Sequence, residues 1–283
     1  MQRGVAYHAF VRTRQRVRPR KSLGQHWLTD RGALRRIAGA ADFTDEDTVV
    51  EIGAGTGLLT ELLAGRARRL IAVEVDERLA SGLKERFAAQ ESVFVLQGDV
   101  LEGAPEEILV AGGGGAPYVV VGNLPYFIGT AIVRRFLEAM VLPRWLVVTL
   151  QAEVAESIAA RPGRMSYLSV EMQTLASARV LFHLPPRAFS PPPKVRSAVV
   201  RLDVLDTAEV EVDDREAFLS LARAGFAAPR KRLRNSLAVG LRVAPTEAAA
   251  MLSAAGVDPE QRPAELTLRD WQSVYFAYRR TEQ

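Results

Sequence analysis

Asn123-Leu124-Pro125-Tyr126 ends the apolar run YVVVGN (118–123), and its residue types suit one particular chemistry. An exocyclic amino nitrogen on an adenine is a poor nucleophile because its lone pair is delocalised into the ring. Two hydrogen-bond acceptors aimed at its N–H groups favour a pyramidal nitrogen whose lone pair points outward. The Asn123 side-chain oxygen and the Leu124 carbonyl can supply that pair, and Pro125 fixes the backbone so that they converge. This is preorganisation rather than acid–base catalysis. Methyl transfer would be an in-line displacement, with the proton leaving afterwards to water. Tyr126 offers an aromatic face for the extruded base, and Phe189, in the Pro-rich segment PPRAFSPPPK (185–194), is the candidate for its other face. Asn-x-Pro-Tyr is also a common turn; its place after the fourth of a series of strands favours the functional reading.

A methyl donor needs its own site. EIGAGTG (51–57) follows the run TVVEI (48–52) and opens a helical pattern, so Gly53 and Gly55 let the backbone turn tightly beside a ligand. Such a turn alone serves many ligands. Glu74 ends the next strand, 21 residues after Gly53, where a carboxylate can accept from both hydroxyls of a ribose. Asp99, in GDV (98–100), ends the third and can accept from an adenine amino group. The turn reads GxGxG rather than the GxGxxG of dinucleotide enzymes, so an adenosyl ligand is favoured, and with the reaction site it identifies S-adenosyl-L-methionine.

The elements that must position these residues alternate along the chain. Runs at 48–52, 70–75, 93–97, 118–123 and 145–150 are almost wholly apolar, as in strands buried on both faces of a parallel sheet. Helical patterns such as Leu58–Gly65 and Glu77–Ala88 lie between them, which predicts a doubly wound α/β sheet. Helices over Ala152–Ala160 and Tyr167–Leu175 follow, and strands over Ala178–Leu184 and Val195–Val204 flank the Pro-rich turn as a closing hairpin. Helical patterns then cover Asp214–Phe226, Lys231–Leu241, Thr246–Ala255 and Leu268–Arg279, the last with a capping box from Thr267 and Asp270. The expected organisation is a basic arm at 1–20, an α/β domain at 21–208 and a small all-helical domain at 209–283. GGGG (112–115) reads as a loop.

The chain has no cysteine, and its three histidines have no ligand spacing, so no metal is expected. No apolar run approaches the ~20 residues needed to cross a bilayer, and the N-terminus has no apolar signal core. A cytoplasmic, monomeric protein is expected. The net charge of +4 hides two clusters. Residues 1–21 hold seven basic residues and no acid, and residues 223–242 hold Arg223, Arg230, Lys231, Arg232, Arg234 and Arg242 with no acid. A polyanionic partner fits both, and Arg230, Lys231, Arg232 and Arg234 are the candidate phosphate contacts. A transit peptide would be richer in Ser and Thr than residues 1–20.

KSLGQHWL (21–28), EIGAGTGLLT (51–60), VEVD (73–76), GDVL (98–101), GNLPY (122–126), FSPPPKVRSAVVRL (189–202) and FAAPRKRLRNSL (226–237) occur in that order. Together they resemble the KsgA family of rRNA adenine N6,N6-dimethyltransferases from about Lys21 to the C-terminus. The resemblance implies a Rossmann-like class I methyltransferase sheet with a helical RNA-binding domain. It implies that Gly53, Glu74, Asp99 and Asn123, with His26 and Leu28, contact the cofactor, and that Asn123, Tyr126 and Phe189 hold the target. The implied substrate is a pair of adjacent adenines in the 3′-terminal hairpin loop of small-subunit (16S) rRNA, within an assembling subunit. The chain departs from the pattern at His26, where Asn is usual, at Phe127, and at 161–170, which is shorter and reads as a surface loop. A large-subunit rRNA methyltransferase of the macrolide-resistance type and a non-catalytic assembly or transcription factor are the alternatives. A small-molecule methyltransferase leaves both basic clusters unexplained.

Overall fold

A computed structural model describes residues 25–207 and 209–281; the basic arm at 1–20 lies outside them. The elements run β1 (Trp27–Leu28), α1 (Arg31–Ala40), β2 (Thr48–Ile52), α2 (Leu58–Leu63), β3 (Arg69–Glu74), α3 (Glu77–Phe87), β4 (Val93–Gln97), α4 (Pro105–Ala111), β5 (Tyr118–Asn123), α5 (Gly129–Leu137), β6 (Trp145–Gln151), α6 (Ala152–Ile158), α7 (Tyr167–Gln173), β7 (Ala176–Leu184), β8 (Phe189–Ser190) and β9 (Ser197–Val204). Four helices follow: α8 (Arg215–Gly225), α9 (Leu233–Leu241), α10 (Pro245–Ala254) and α11 (Leu268–Thr281).

The seven-stranded sheet has the order β4-β3-β2-β5-β6-β9-β7. Its first five strands are parallel, and β9 runs antiparallel to both β6 and β7. That is the expected class I sheet with its closing hairpin. Every residue of β2 is buried, because helices cover both faces. Alternate residues serve opposite layers: Val50, Val120 and Val148 face one core, while Val49, Val119, Val121 and Val147 join α1 and α2 in the other. This is why the strands read as continuous apolar runs rather than as alternations.

Short polar side chains start several of the helices. Asp30 accepts from Ala33 N at 2.8 Å, Asp76 from Arg78 N at 3.1 Å and Asp214 from Ala217 N at 2.9 Å. Thr267 and Asp270 form the expected reciprocal pair, with Thr267 N donating to Asp270 at 2.8 Å and Asp270 N to Thr267 Oγ1 at 3.1 Å.

The helical domain has its own core around Trp271, Tyr275, Phe218 and Leu237, and it draws Met165 and Val170 from the sheet domain into that core. Gly163 N and Met165 N both donate to Ala264 O, at 2.7 and 3.2 Å. The segment expected as a surface loop is therefore exposed only at Arg161–Arg164; from Met165 onward it docks the two units together. Burial of two apolar side chains of that size contributes about 1.5–3 kcal/mol each. The helix expected from Lys231 begins instead at Leu233, because Arg232 is extended (φ −62°, ψ 149°).

Candidate active site

In an open α/β sheet a ligand crevice forms where neighbouring strands connect outward in opposite directions. Here that point lies between β2 and β5, and the turns leaving their carboxyl ends are Gly53–Gly57 and Asn123–Tyr126. The cleft there is lined by Gly53, Gly55, Glu74 and Val75 on one side and by Asn123 to Tyr126 on the other, with Gln25, His26 and Trp27 crossing it.

The Gly-rich turn needs its glycines. Gly53, Gly55 and Gly57 have φ of 70°, 57° and 77°, left-handed values that side chains resist. A Cβ on Gly53 would stand 3.6 Å from Asn123 O, and one on Gly55 3.4 Å from the Trp27 ring, so side chains there would intrude on the cleft. Gly53 N and Ala54 N are tied to Val73 O at 2.9 and 3.1 Å, which leaves the turn pressed against the end of β3.

Glu74 is almost wholly buried, at 5% exposure. One carboxylate oxygen accepts from Gly55 N at 2.7 Å and the other from Asp76 N at 2.9 Å. Burial pushes its pKa up, against these backbone bonds, which pull it down. Each oxygen keeps a further lone pair, so the carboxylate is fixed in place and can still accept. Beneath it lies Glu51, 1% exposed. Desolvation pushes the Glu51 carboxyl up to about 8, against hydrogen bonds from Thr60 and with a smaller contribution from the Glu74 charge. The glycine turn and the pinned Glu74 fit the ribose end of an adenosyl ligand.

At the opposite wall the Asn123 Nδ2 donates to His26 O at 3.0 Å. A carbonyl can only accept, so the amide must present its NH2 there, and its oxygen is left as an acceptor. Leu124 N donates to Thr149 O at 3.2 Å, anchoring the next peptide to β6. Leu124 lines the cleft although it is only 2% exposed, so what it offers is mostly backbone. The Tyr126 hydroxyl lies 2.5 Å from Ser197 Oγ. Burial pushes the phenol pKa up, against the Ser197 bond, so it stays protonated at neutral pH. His26 stacks on Tyr126, with ring centroids 5.8 Å apart and planes at 22°. Its Nδ1 donates to Pro191 O at 2.8 Å, tying the Pro-rich loop to the cleft. His26 thus covers one face of the Tyr126 ring, and the side chain stays partly exposed in the cleft.

Three sequence candidates stand elsewhere. Phe189 is 4% exposed and, paired with Leu28 across the two-residue ladder of β1 and β8, packs into the core under α1 rather than lining the cleft. Leu28 is buried there too, at 5%. Their neighbours Trp27 and Ser190 take the other side of that ladder, so it is Trp27 that reaches the cleft. Asp99 is exposed just beyond β4, where it accepts from Leu101 N at 2.9 Å and does not line the cleft. Trp27, Val75 and Glu51 were not singled out from sequence. An acid inside the otherwise apolar TVVEI was the available signal for Glu51.

The basic run lies at the start of α9. Arg230, Lys231 and Arg232 are exposed there and line a surface depression with Asn235 and Arg262. The run is free of acids in sequence but not in space, since Glu260 pairs with both Arg232 and Arg234. Among the described residues no group of His, Cys, Asp and Glu could hold a metal, and no helix is long and apolar enough to cross a membrane.

A sheet of this order with a glycine turn, a pinned acid and an Asn-x-Pro-Tyr wall at one switch point narrows the comparison to a few families. The chain matches the model of the family described as Ribosomal RNA adenine dimethylase over residues 16–279. The chain belongs to the ribosomal RNA adenine dimethylase family. It is a methyltransferase of that family, whose members draw the methyl group from S-adenosylmethionine. A Dehalococcoides mccartyi relative named Ribosomal RNA small subunit methyltransferase A is 40% identical over 262 residues, covering 93% of this chain and 89% of the relative. A relative of the same name from a Synechococcus species is 42% identical over 261 residues, covering 89% and 93%. Among solved structures, the 23S rRNA methyltransferase ErmE is 31% identical with a TM-score of 0.71, over 89% of this chain and 98% of that one. A dimethyladenosine transferase from Plasmodium falciparum has a TM-score of 0.76 over 91% and 98%, at 22% identity, and shares the fold.

Proposed function

We propose that this dimethylase transfers methyl groups from S-adenosyl-L-methionine to N6 of two adjacent adenines in the 3′-terminal hairpin loop of small-subunit rRNA, dimethylating each during ribosome biogenesis. The observation that carries the reaction is the Asn123 amide. Its NH2 is spent on His26 O, so its oxygen faces an incoming amino group as a fixed acceptor. When bound, S-adenosylmethionine supplies an electrophilic methyl on a sulfonium. Gly53, Gly55 and Glu74 would hold its adenosyl part, with Trp27 and Val75 as apolar walls. Asn123 Oδ1 and Leu124 O accept from the two N–H groups of the target nitrogen, favour its pyramidal form and direct its lone pair. Tyr126 stacks on the base with the ring face that His26 leaves open. No side chain has to ionise, and the proton passes to water after transfer.

The choice of small-subunit rRNA rests on the relatives of 40–42% identity that carry that name; the 31% identity to ErmE makes large-subunit rRNA the second reading. Arg230 and Lys231, with Arg232 and Arg234, would hold rRNA phosphates of the assembling subunit. The protein would do so as a cytoplasmic monomer. Primer extension across both rRNAs of cells lacking and regaining this chain tests the choice. A modification stop near the 3′ end of the small-subunit rRNA is expected, and a stop confined to the large-subunit rRNA overturns the reading.

A further inference from the structure

Helix α9 begins without a side-chain cap. Its first N–H groups are taken by a distant loop: Leu233 N donates to Gln261 O at 2.7 Å and Arg234 N to Pro259 O at 3.2 Å. Glu260 lies between those two acceptors, and its own N–H is fixed by Asp258 Oδ1 at 2.9 Å. The backbone therefore delivers the Glu260 carboxylate to the positive end of α9, where it pairs with the Arg232 and Arg234 guanidiniums. The surrounding depression, of about 450 Å³, is lined further by Arg230, Lys231, Asn235 and Arg262 and by a second acid, Glu265. A carboxylate between two guanidiniums takes the same charge-assisted bonds that those guanidiniums would give a phosphate.

We propose that Glu260 is an internal stand-in for an RNA phosphate, displaced when substrate docks on the helical domain. This rests on the reading that rRNA phosphates bind at Arg230–Arg234. The exchange is easy because all three side chains are partly exposed, at 57% and 39% for the arginines and 38% for Glu260, and exposed pairs are weak. Its consequence is discrimination. A stray polyanion must compete with a carboxylate whose backbone is fixed beside the two guanidiniums, whereas an RNA also held at the adenine site gains further contact that outweighs it.

The test is Glu260→Gln, which keeps the shape and removes the charge. Anisotropy of a labelled hairpin RNA with two adjacent adenines in its loop gives the affinity across a salt series, and a thermal melt checks folding. One phosphate contact no longer offset by a nearby carboxylate should steepen the plot of log affinity against log salt by about 0.7–0.9. Binding at 50 mM salt should tighten about three- to tenfold, a gain that shrinks about threefold by 200 mM. Glu46→Gln, an exposed acid on the sheet domain, should change neither, and Glu260→Gln should be silent when Arg232 and Arg234 are both Gln. An unchanged slope, an equal gain from Glu46→Gln, or a gain that survives loss of both arginines overturns the proposal. If Arg230→Gln and Lys231→Gln also leave wild-type binding intact, the RNA-docking reading falls with it. If they weaken binding while Glu260→Gln is silent, only the displacement falls.

Discussion

Replacing Glu51 with Gln should make the protein more stable, by an amount that grows as pH rises from about 4.5 toward 8. Glu51 sits on β2, enclosed on all sides, and its Oε2 has no hydrogen-bond partner. Desolvation, together with the neighbouring Glu74 charge, pushes its carboxyl from 4.5 in the free side chain to about 8. The folded protein thus holds a proton that the unfolded chain releases. Because the native state binds more protons between those two values, stability is full below about pH 4.5 and falls as pH rises toward 8. At about 1.36 kcal/mol per pH unit, the gap sets a ceiling of about 5 kcal/mol; relaxation around the ionised group should leave about 3 kcal/mol. Gln keeps the neutral shape at every pH. Urea or thermal melts of both proteins from pH 4 to 8.5 should give curves that coincide only near pH 4. They should separate steadily from about pH 4.5 and level off near pH 8, with Gln melting about 6 °C higher at pH 8.5. A difference curve flat across that range, or a variant less stable throughout, would refute the claim that Glu51 is held protonated.

Other expectations are equally concrete. Glu74→Gln can accept from only one of Gly55 N and Asp76 N, since its NH2 must face the other; calorimetry should show S-adenosylmethionine binding weakened at least tenfold, and unchanged affinity would remove Glu74 from the cofactor site. Tyr126→Phe loses only the bond to Ser197 and should retain kcat/KM within about fivefold, whereas Tyr126→Ala loses a stacking face worth about 1–3 kcal/mol and should fall about 10- to 100-fold. Equal losses in both would point to the hydroxyl instead. Gly240→Ala places a Cβ 2.2 Å from Ala224 O, where α8 and α9 cross backbone to backbone. Despite the better helix propensity of Ala, melts should show a loss of about 1–3 kcal/mol, and a stabilised variant would contradict that crossing.

The sheet was legible because its strands are buried on both faces: the apolar runs at 48–52, 93–97 and 118–123 match the observed strands residue for residue. The reaction turn was legible because Pro125 and the acceptors are adjacent in sequence. What escaped depends on partners far along the chain. Phe189 looks free in a Pro-rich loop until the antiparallel ladder with Leu28 turns its ring into the core. That same alternation sends Trp27, and not Leu28, toward the cleft. The run at 230–234 looks uniformly basic until Pro259 and Gln261, bonded to the start of α9, bring Glu260 onto it. Met165 reads as part of a loop but belongs to the helical core, because Ala264 O captures its N–H. In each case a backbone hydrogen bond across more than twenty residues decided where a side chain went, and no local pattern records such a bond.

The central claim is that the fixed Asn123 amide oxygen, with the Leu124 carbonyl, holds an rRNA adenine nitrogen for methylation. Small subunits from cells lacking the modification, incubated with S-adenosylmethionine and the purified protein, can be digested to nucleosides and analysed by mass spectrometry. The wild type should yield N6,N6-dimethyladenosine in a ratio of about two per subunit. Asn123→Ala should slow transfer about 10²- to 10³-fold, the usual loss when one preorganised polar contact to a transition state is removed. Formation of the product by Asn123→Ala at the wild-type rate, or its absence with the wild type, would contradict the account.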